Sequence, residues 1–416
     1  MSLHYEDGGL TLFHGSNKDV LPTFADASFD SIVTDPPYEL GFMGKGWDST
    51  GIAYDVDMWA ECFRVLKPGG YLLSFGGTRT WHRIAVAIED AGFEVRDSIA
   101  WMYGSGFPKS MNVAKAIASG TGRPEDIRRL SMGDGYTPSG RGRVNYDHGG
   151  GSVMNGAAVV DVDLPETAKA WEGWGTALKP AFEPIIVARK PLAGTVAANV
   201  LAYGTGAINI DACRVPGEST KRRNKAEMGY HGGNTSTDYE TGSDSGRFPS
   251  NVLLDESQAA ALDRQTGTLT SGTGAVKRAS SATRDGNRGA ALGKESRTEG
   301  TEMVSYGDSG GASRFFPTFR YEAKAPGSER PEVDGVAHAT VKPLDLMRWL
   351  VRLVTRRGGH VLDPFAGSGT TGEAALLEGM ESTLIELESD HLPLILARVK
   401  KPLQPSMFGD WEEETA

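Results

Sequence analysis

The stretch His360-Val361-Leu362-Asp363-Pro364-Phe365-Ala366-Gly367-Ser368-Gly369-Thr370-Thr371-Gly372 decides how this chain is read. An apolar run ends at Asp363, glycines crowd the turn after it, and Glu373 to Glu378 then has helical composition. Strand, turn and helix follow one another without a spacer. Glycines let backbone approach a ligand closely and take positive φ, and a helix N-terminus presents free N–H groups. A polar cofactor can dock on such a turn, but a tight turn with no ligand has the same composition. Gly-Lys-Ser/Thr is absent, so a phosphate loop fits poorly. Gly367, Gly369 and Gly372 only approximate a dinucleotide fingerprint. Beyond the helix, Thr383-Leu384-Ile385 reads as a second apolar strand ending at Glu386. That is about 20 residues past the loop, the distance at which an acid accepts ribose hydroxyls. The two features together point to a single-nucleoside cofactor.

Upstream of the loop, Leu344, Met347, Leu350, Val351 and Val354 recur at helical spacing after Lys342-Pro343. The beginning of the chain has the same α/β rhythm. Leu10 to His14 is an apolar segment, and Ser31-Ile32-Val33-Thr34 forms a strand running into Asp35-Pro36-Pro37-Tyr38. A helix carrying Met58, Trp59, Cys62, Phe63 and Leu66 is expected to stop at Pro68-Gly69-Gly70, with Tyr71 to Phe75 as the next strand. A helix from Trp81 to Asp90 and a strand from Glu94 to Met102 follow. Such alternation implies a mainly parallel sheet.

Asp35-Pro36-Pro37-Tyr38 is the second place where chemistry concentrates. A Pro-Pro pair after a strand is, taken alone, a rigid stop. Its chemical reading is more specific. An exocyclic amine on an aromatic ring is a weak nucleophile, because its lone pair is delocalised into the ring. Asp35 can accept one of its N–H groups and the Pro36 carbonyl the other, drawing the nitrogen toward tetrahedral geometry. Pro36 and Pro37 hold these acceptors rigidly, and Tyr38 can stack on an extruded base. In-line transfer from a sulfonium then needs positioning more than acid–base help, and no metal.

The two motifs, in this order, resemble the β-class DNA amino-methyltransferases, which modify N6 of adenine or N4 of cytosine. The resemblance implies S-adenosylmethionine as cofactor. It implies that Asp35, Pro36, Pro37 and Tyr38 are catalytic, and that Asp363, Pro364, Phe365, Ala366, Gly367, Ser368, Gly369, Thr370 and Thr371 surround the methionine part of the cofactor. Glu386 would hold the ribose. The segment His338-Ala339-Thr340-Val341-Lys342-Pro343 looks like the family's stretch before the cofactor strand, so His338, Thr340, Lys342 and Pro343 would help hold methionine; its usual proline is Ala339 here. Where the family often has Gly-Asp after the first strand, this chain has Gly15-Ser16-Asn17. Either Ser16 or Asn17 takes over the adenine contact, or that contact is lost. Asp rather than Ser at position 35 is the form usual for adenine-N6 members.

The implied fold is α/β: a circularly permuted Rossmann-like methyltransferase fold, a mainly parallel sheet with one antiparallel strand and an inserted irregular target-recognition region. The expected divisions are 8–112 for the catalytic half, 113–179 for a Gly-rich insertion, 180–192 for a returning core strand, 193–335 for target recognition, mobile over 265–313, and 336–402 for the cofactor half. Within 193–335 the α/β rhythm is lost, with short strand-like pieces at Ala207 to Ile210, Asn251 to Leu254 and Phe315 to Tyr321.

The net charge of -11 argues mildly against a phosphate-rich partner, but charge is unevenly distributed. Basic clusters fall in the middle of the chain, and Arg222, Arg223, Lys277 and Arg278 are the candidate DNA contacts, each weighed against a solvated surface charge. Cys62 and Cys213 are too few for a disulfide framework or thiolate zinc site. No apolar run approaches the roughly 18 residues of a membrane span, so a cytoplasmic, nucleoid-associated protein acting on double-stranded DNA is expected, and a homodimer is compatible with the resemblance. Rival readings are cytosine N4 or a protein glutamine amide as substrate, and, from another class, a catalytically silent DNA-binding protein or a restriction-modification subunit.

Overall fold

The computed structural model describes residues 1–40, 49–106, 110–120, 164–216, 246–270, 309–319, 331–333, 335–338 and 340–400, together with the backbone of six short strand pieces between 222 and 303. Internal contacts divide the chain into two compact units, Met1–Gly104 with Phe182–Ala416, and Ser105–Ala181.

The larger unit is built on a ten-stranded sheet. In chain order its strands are β1 (Ser2–Asp7), β2 (Leu10–His14), β3 (Phe29–Thr34), β4 (Leu66–Phe75), β5 (Glu94–Met102), β6 (Phe182–Arg189), β7 (Val252–Asp255), β8 (Thr318–Phe319), β9 (His360–Asp363) and β10 (Glu381–Glu386). Across the sheet they lie in the order β1-β2-β10-β9-β3-β4-β6-β5-β7-β8. All neighbouring pairs are parallel except β1 with β2 and the two that flank β6. The N-terminal strand β2 runs parallel to β10, with Leu12 opposite Leu384 and His14 opposite Glu386. The last strand in chain order and the second are therefore neighbours in one sheet, which is a circular permutation of a Rossmann-like order.

Every residue of β3 is buried, as expected of a parallel strand covered on both faces. Successive side chains alternate: Val33 packs with the helix Leu344–Val354 (Leu346, Leu350, Val351), whereas Ile32 packs with Met58, Trp59 and Cys62 of Val56–Val65 and Ile84 and Ile88 of Trp81–Asp90. Burying both faces fixes the register, because a slip of one residue would exchange them.

Several sequence expectations need correction. The second antiparallel strand, β1, was missed because its alternation is weak and its surface exposed; the turn Gly8-Gly9, at φ 58° and 83°, closes the hairpin. The first long helix ends at Val65, not at Pro68, and β4 begins already at Leu66. Pro68 disfavours helical backbone at Lys67, and Lys190 Nζ takes the carbonyls of Phe63 and Leu66 at 2.7 Å each. The stretch from 193 onward is more regular than its composition indicated. Helices Val196–Tyr203 and Glu256–Thr266 lie in it, and β7 and β8 extend the main sheet beyond β5. Asp255 caps the second of these helices by accepting from Gln258 N–H at 2.7 Å. Ala207 to Ile210 is not a strand; it leads into a 3-10 turn at Asp211–Cys213.

In the smaller unit, the helix Val113–Ala118 is capped by Asn112, whose side chain accepts from Lys115 N–H. Ser110 Oγ accepts from Thr176 N–H at 3.0 Å. No helix among the described residues is long and apolar enough to cross a membrane.

Candidate active site

Strands β3 and β9 are parallel neighbours, with Leu362 opposite Ile32. Their C-terminal ends bring Asp35 and Asp363 to one place. Thr34 Oγ1 donates to Asp363 Oδ1 at 2.6 Å, and the same oxygen accepts Phe365 N–H at 3.0 Å. Asp363 is fully buried, and burial raises its carboxyl to about 6, although hydrogen bonds from Thr34, Thr371 and Phe365 pull the other way. Asp363 therefore braces the turn from below.

The turn itself needs glycine. Gly367 and Gly369 sit at φ 53° and 79°, and a Cβ on Gly367 would lie 3.2 Å from His338 Nε2. One on Gly369 would lie 2.9 Å from Ile395 Cγ2. Pro364 and Ala366 continue the turn: the Pro364 carbonyl accepts from Asn17 Nδ2 at 3.4 Å, and Ala366 N–H donates to the Ile385 carbonyl at 3.0 Å. Ser368 and Thr370 exchange a hydroxyl hydrogen bond at 3.1 Å at the start of the helix Thr370–Leu377.

Glu386, at the end of β10, faces this turn. Its Oε2 accepts Gly367 N–H at 2.7 Å, and its Oε1 accepts Glu388 N–H at 2.8 Å and lies 3.1 Å from His391 Nδ1. A carboxylate has about four acceptor sites, so capacity for a hydroxyl is left. The hydrogen bond with Glu386 raises His391, whereas burial, and then His391 itself, lowers His338. The two imidazoles meet edge to face at 4.7 Å, placing His338 over Gly367. The Thr340 carbonyl contacts His338 Nδ1, and Pro343 is buried at the start of the helix Leu344–Val354.

Lys342 reaches the other motif, at Asp35. Its Nζ donates to Asp35 Oδ2 at 2.6 Å and to Tyr38 Oη at 3.1 Å, and lies 3.3 Å from Glu183 Oε2. Tyr38 Oη donates to the same Glu183 oxygen at 2.9 Å. Burial pulls the Lys342 ammonium down, but Asp35 and Glu183 more than offset it and the net shift is upward. Burial, then Asp35 and Glu183, keeps the Tyr38 phenol protonated well above its ordinary range. Asp35 Oδ1 is buried and has no hydrogen-bond partner among the described residues. Gly77 makes room for Tyr38, since a Cβ there would come within 3.2 Å of its ring.

Sequence reasoning missed Glu183 and Arg398. Glu183 is the only acidic residue in β6, a weak signal inside an apolar strand. Arg398 is 1% exposed and donates Nε–H to the Ser368 carbonyl at 3.0 Å while pairing with Glu373. An arginine in an apolar helix gave no hint of that. Trp101 is buried in the core, while Trp47 lies outside the described residues. Arg222, Arg223 and Lys277 fall in strand pieces whose side chains lie outside the described residues, as does Arg278 altogether.

A permuted Rossmann-like sheet, a glycine turn after β9 with an acid across from it at the end of β10, and a Pro-bounded acid after β3 define a methyltransferase of the nucleoside-cofactor type. The family description DNA methylase, covering N6 and N4 enzymes, matches residues 29–397. The chain belongs to that family, whose cofactor is S-adenosylmethionine. It is 30% identical over 158 residues to the type II methyltransferase M.HindIII of Haemophilus influenzae, covering 37% of this chain and 38% of that protein. It is 39% identical over 62 residues to the DNA adenine methyltransferase YhdJ of Escherichia coli, covering 15% and 21% respectively. The matched stretches thus span well under two thirds of these relatives. A solved M1.HpyAVI–SAM complex aligns over 94% of this chain and 99% of its own, with 14% identity and a TM-score of 0.40.

Proposed function

We propose that this protein transfers a methyl group from S-adenosylmethionine to an exocyclic amino nitrogen of a base in double-stranded DNA, namely N6 of adenine. The observation that carries the reading is the carboxylate of Asp35: Oδ2 is held by Lys342 and Oδ1 is buried and unpartnered among the described residues. A buried acceptor without a donor is costly, by about 1–3 kcal/mol, and an incoming N–H group relieves it.

The residues present fit the cofactor. A Cβ on Gly367 or Gly369 would press on His338 or Ile395 and distort the turn, and Glu386 beside it keeps acceptor capacity for a ribose hydroxyl. When bound, S-adenosylmethionine supplies a methyl carbon made electrophilic by its sulfonium. The chain's own part is orientation. Asp363 and Glu386 fix the turn from opposite sides, Asn17 ties Pro364 to the start of the chain, and Asp35 with the Pro36 carbonyl aligns the amine. Pro37 and Tyr38 complete a rigid wall on which a base swung out of the duplex can stack. Adenine is favoured over cytosine because Asp35 stands where cytosine-N4 enzymes usually carry serine. The segment 193–335 is assigned to reading DNA, with Arg222, Arg223, Lys277 and Arg278 as its candidate contacts. A homodimer is compatible with the resemblance, and sedimentation equilibrium would decide it.

Asp35→Ala is expected to abolish incorporation of labelled methyl groups into DNA while leaving S-adenosylmethionine affinity by calorimetry within about twofold, the side chain facing the base. Undiminished incorporation would overturn the assignment. Methylation-sensitive sequencing of DNA from expressing cells identifies the base; modified cytosine in place of adenine would refute the N6 reading.

A further inference from the structure

Glu183 touches neither the glycine turn nor the amine in the transfer described above, yet it closes the group of side chains around Asp35. Lys342 has three N–H bonds, and three acceptors face it: Asp35 Oδ2 at 2.6 Å, Tyr38 Oη at 3.1 Å and Glu183 Oε2 at 3.3 Å. The Phe75 ring backs the ammonium at 4.7 Å. The Tyr38 hydroxyl, which stays protonated, donates to Glu183 at 2.9 Å. The four side chains come from the segment after β3, from β6 and from the segment before the helix Leu344–Val354. Lys342 is 10% exposed, Glu183 20% and Asp35 25%, so solvent screens the group only partly. Asp363 and His338 also lie within electrostatic reach of Asp35.

Formal charge makes the argument. A lysine paired with Asp35 alone would sum to zero, and the amine would face a neutral pair. In the transfer reading above, on which this inference rests, the amino nitrogen gains a bond to the methyl carbon while the carbon–sulfur pair stays with sulfur. The nitrogen becomes cationic and sheds a proton to Asp35 Oδ1, and water then carries that proton away. We propose that Glu183 is a positioning residue for this reaction: it offsets the charge of Lys342, so that Lys342 can hold Asp35 in place without cancelling the negative charge facing the nitrogen as it turns cationic. Lysine supplies the geometry, and Glu183 preserves the field.

Glu183→Gln keeps the shape and the acceptor for Tyr38 but removes the charge. The expected result is a kcat lowered about 10- to 100-fold, somewhat less than the loss of a direct transition-state contact, with the KM for S-adenosylmethionine unchanged within about twofold. Glu183→Asp keeps the charge but shortens the side chain, so it should retain more kcat than Glu183→Gln. A merely structural Glu183 would tolerate glutamine better than aspartate, and that order overturns the proposal. A second readout does not depend on activity. In protein with 13Cε-labelled lysine, the Lys342 resonance should titrate at lower pH in Glu183→Gln than in the parent, and an unshifted titration also overturns the proposal. Absence of any methyl transfer by the parent protein would sink the transfer reading alone, since the lysine titration still decides the charge assignment.

Discussion

Replacing Asp363 by asparagine removes a titration without removing much volume, and its consequence can be worked through. In the folded chain burial raises this carboxyl from 3.8 to about 6, against the pull of hydrogen bonds from Thr34, Thr371 and the Phe365 N–H. The side chain is 2% exposed, so little solvent screening applies. A rise of about 2 units corresponds to about 3 kcal/mol. The folded state binds the proton more tightly than the unfolded chain, so this contribution is fully present below about pH 4 and is lost as pH rises through about 6. The asparagine amide does not titrate. The stability of the parent relative to Asp363→Asn should therefore fall by about 3 kcal/mol between about pH 4 and pH 7, and be flat above that.

Urea unfolding of both proteins at closely spaced pH values gives the difference curve, in which all other titrating groups cancel to first order. Because Asp35 also raises Asp363, the midpoint of that curve should move to lower pH when both proteins carry Asp35→Asn. A parent-minus-variant difference that stays level, or rises with pH, would refute the assignment of a buried, desolvated carboxyl beneath the turn.

Gly369→Ala should destabilise the protein by about 1–3 kcal/mol in urea unfolding, the sum of a left-handed backbone at φ 79° and a Cβ placed 2.9 Å from Ile395 Cγ2. Arg398→Met should cost about 2–4 kcal/mol by leaving the part-buried Glu373 without its partner, and should weaken S-adenosylmethionine binding in calorimetry. Adding Glu373→Leu should restore stability but not affinity, because the Ser368 carbonyl still lacks the donor that Arg398 Nε supplies at 3.0 Å.

Much of the larger unit could be read from residue order, for definite reasons. Ser31 to Thr34, Tyr71 to Phe75 and Val361 to Asp363 are strands buried on both faces, and unbroken apolar runs are their signature. Leu344 to Val354 showed its stripe by spacing, although burial extends beyond the stripe to Arg348 and Trp349. The edges were harder. β1 is exposed along most of its length, and β7 and β8 are held in place by their neighbours rather than by their own pattern. At the site, motif residues such as Asp35 and Gly367 announce themselves by local spacing. The contact of Lys342 with Asp35 was not legible, because sequence proximity to the cofactor strand says nothing about where a long side chain reaches.

The contacts around Asp35 that escaped notice share one property: their partners are far apart along the chain. Lys342 and Asp35 are 307 positions apart and Tyr38 and Glu183 are 145 apart. They meet because β9 turns toward β10 on one side while β3 turns toward β4 on the other, leaving a crevice at the carboxyl ends of two adjacent parallel strands. Permutation cut the chain between β10 and β2, away from that crevice, so the crevice is assembled as in an uncut sheet. The same topology puts Glu183 just before, and Lys342 just after, the segment 193–335. The two side chains that hold and balance Asp35 thus stand at the entry and exit of the segment assigned to reading DNA.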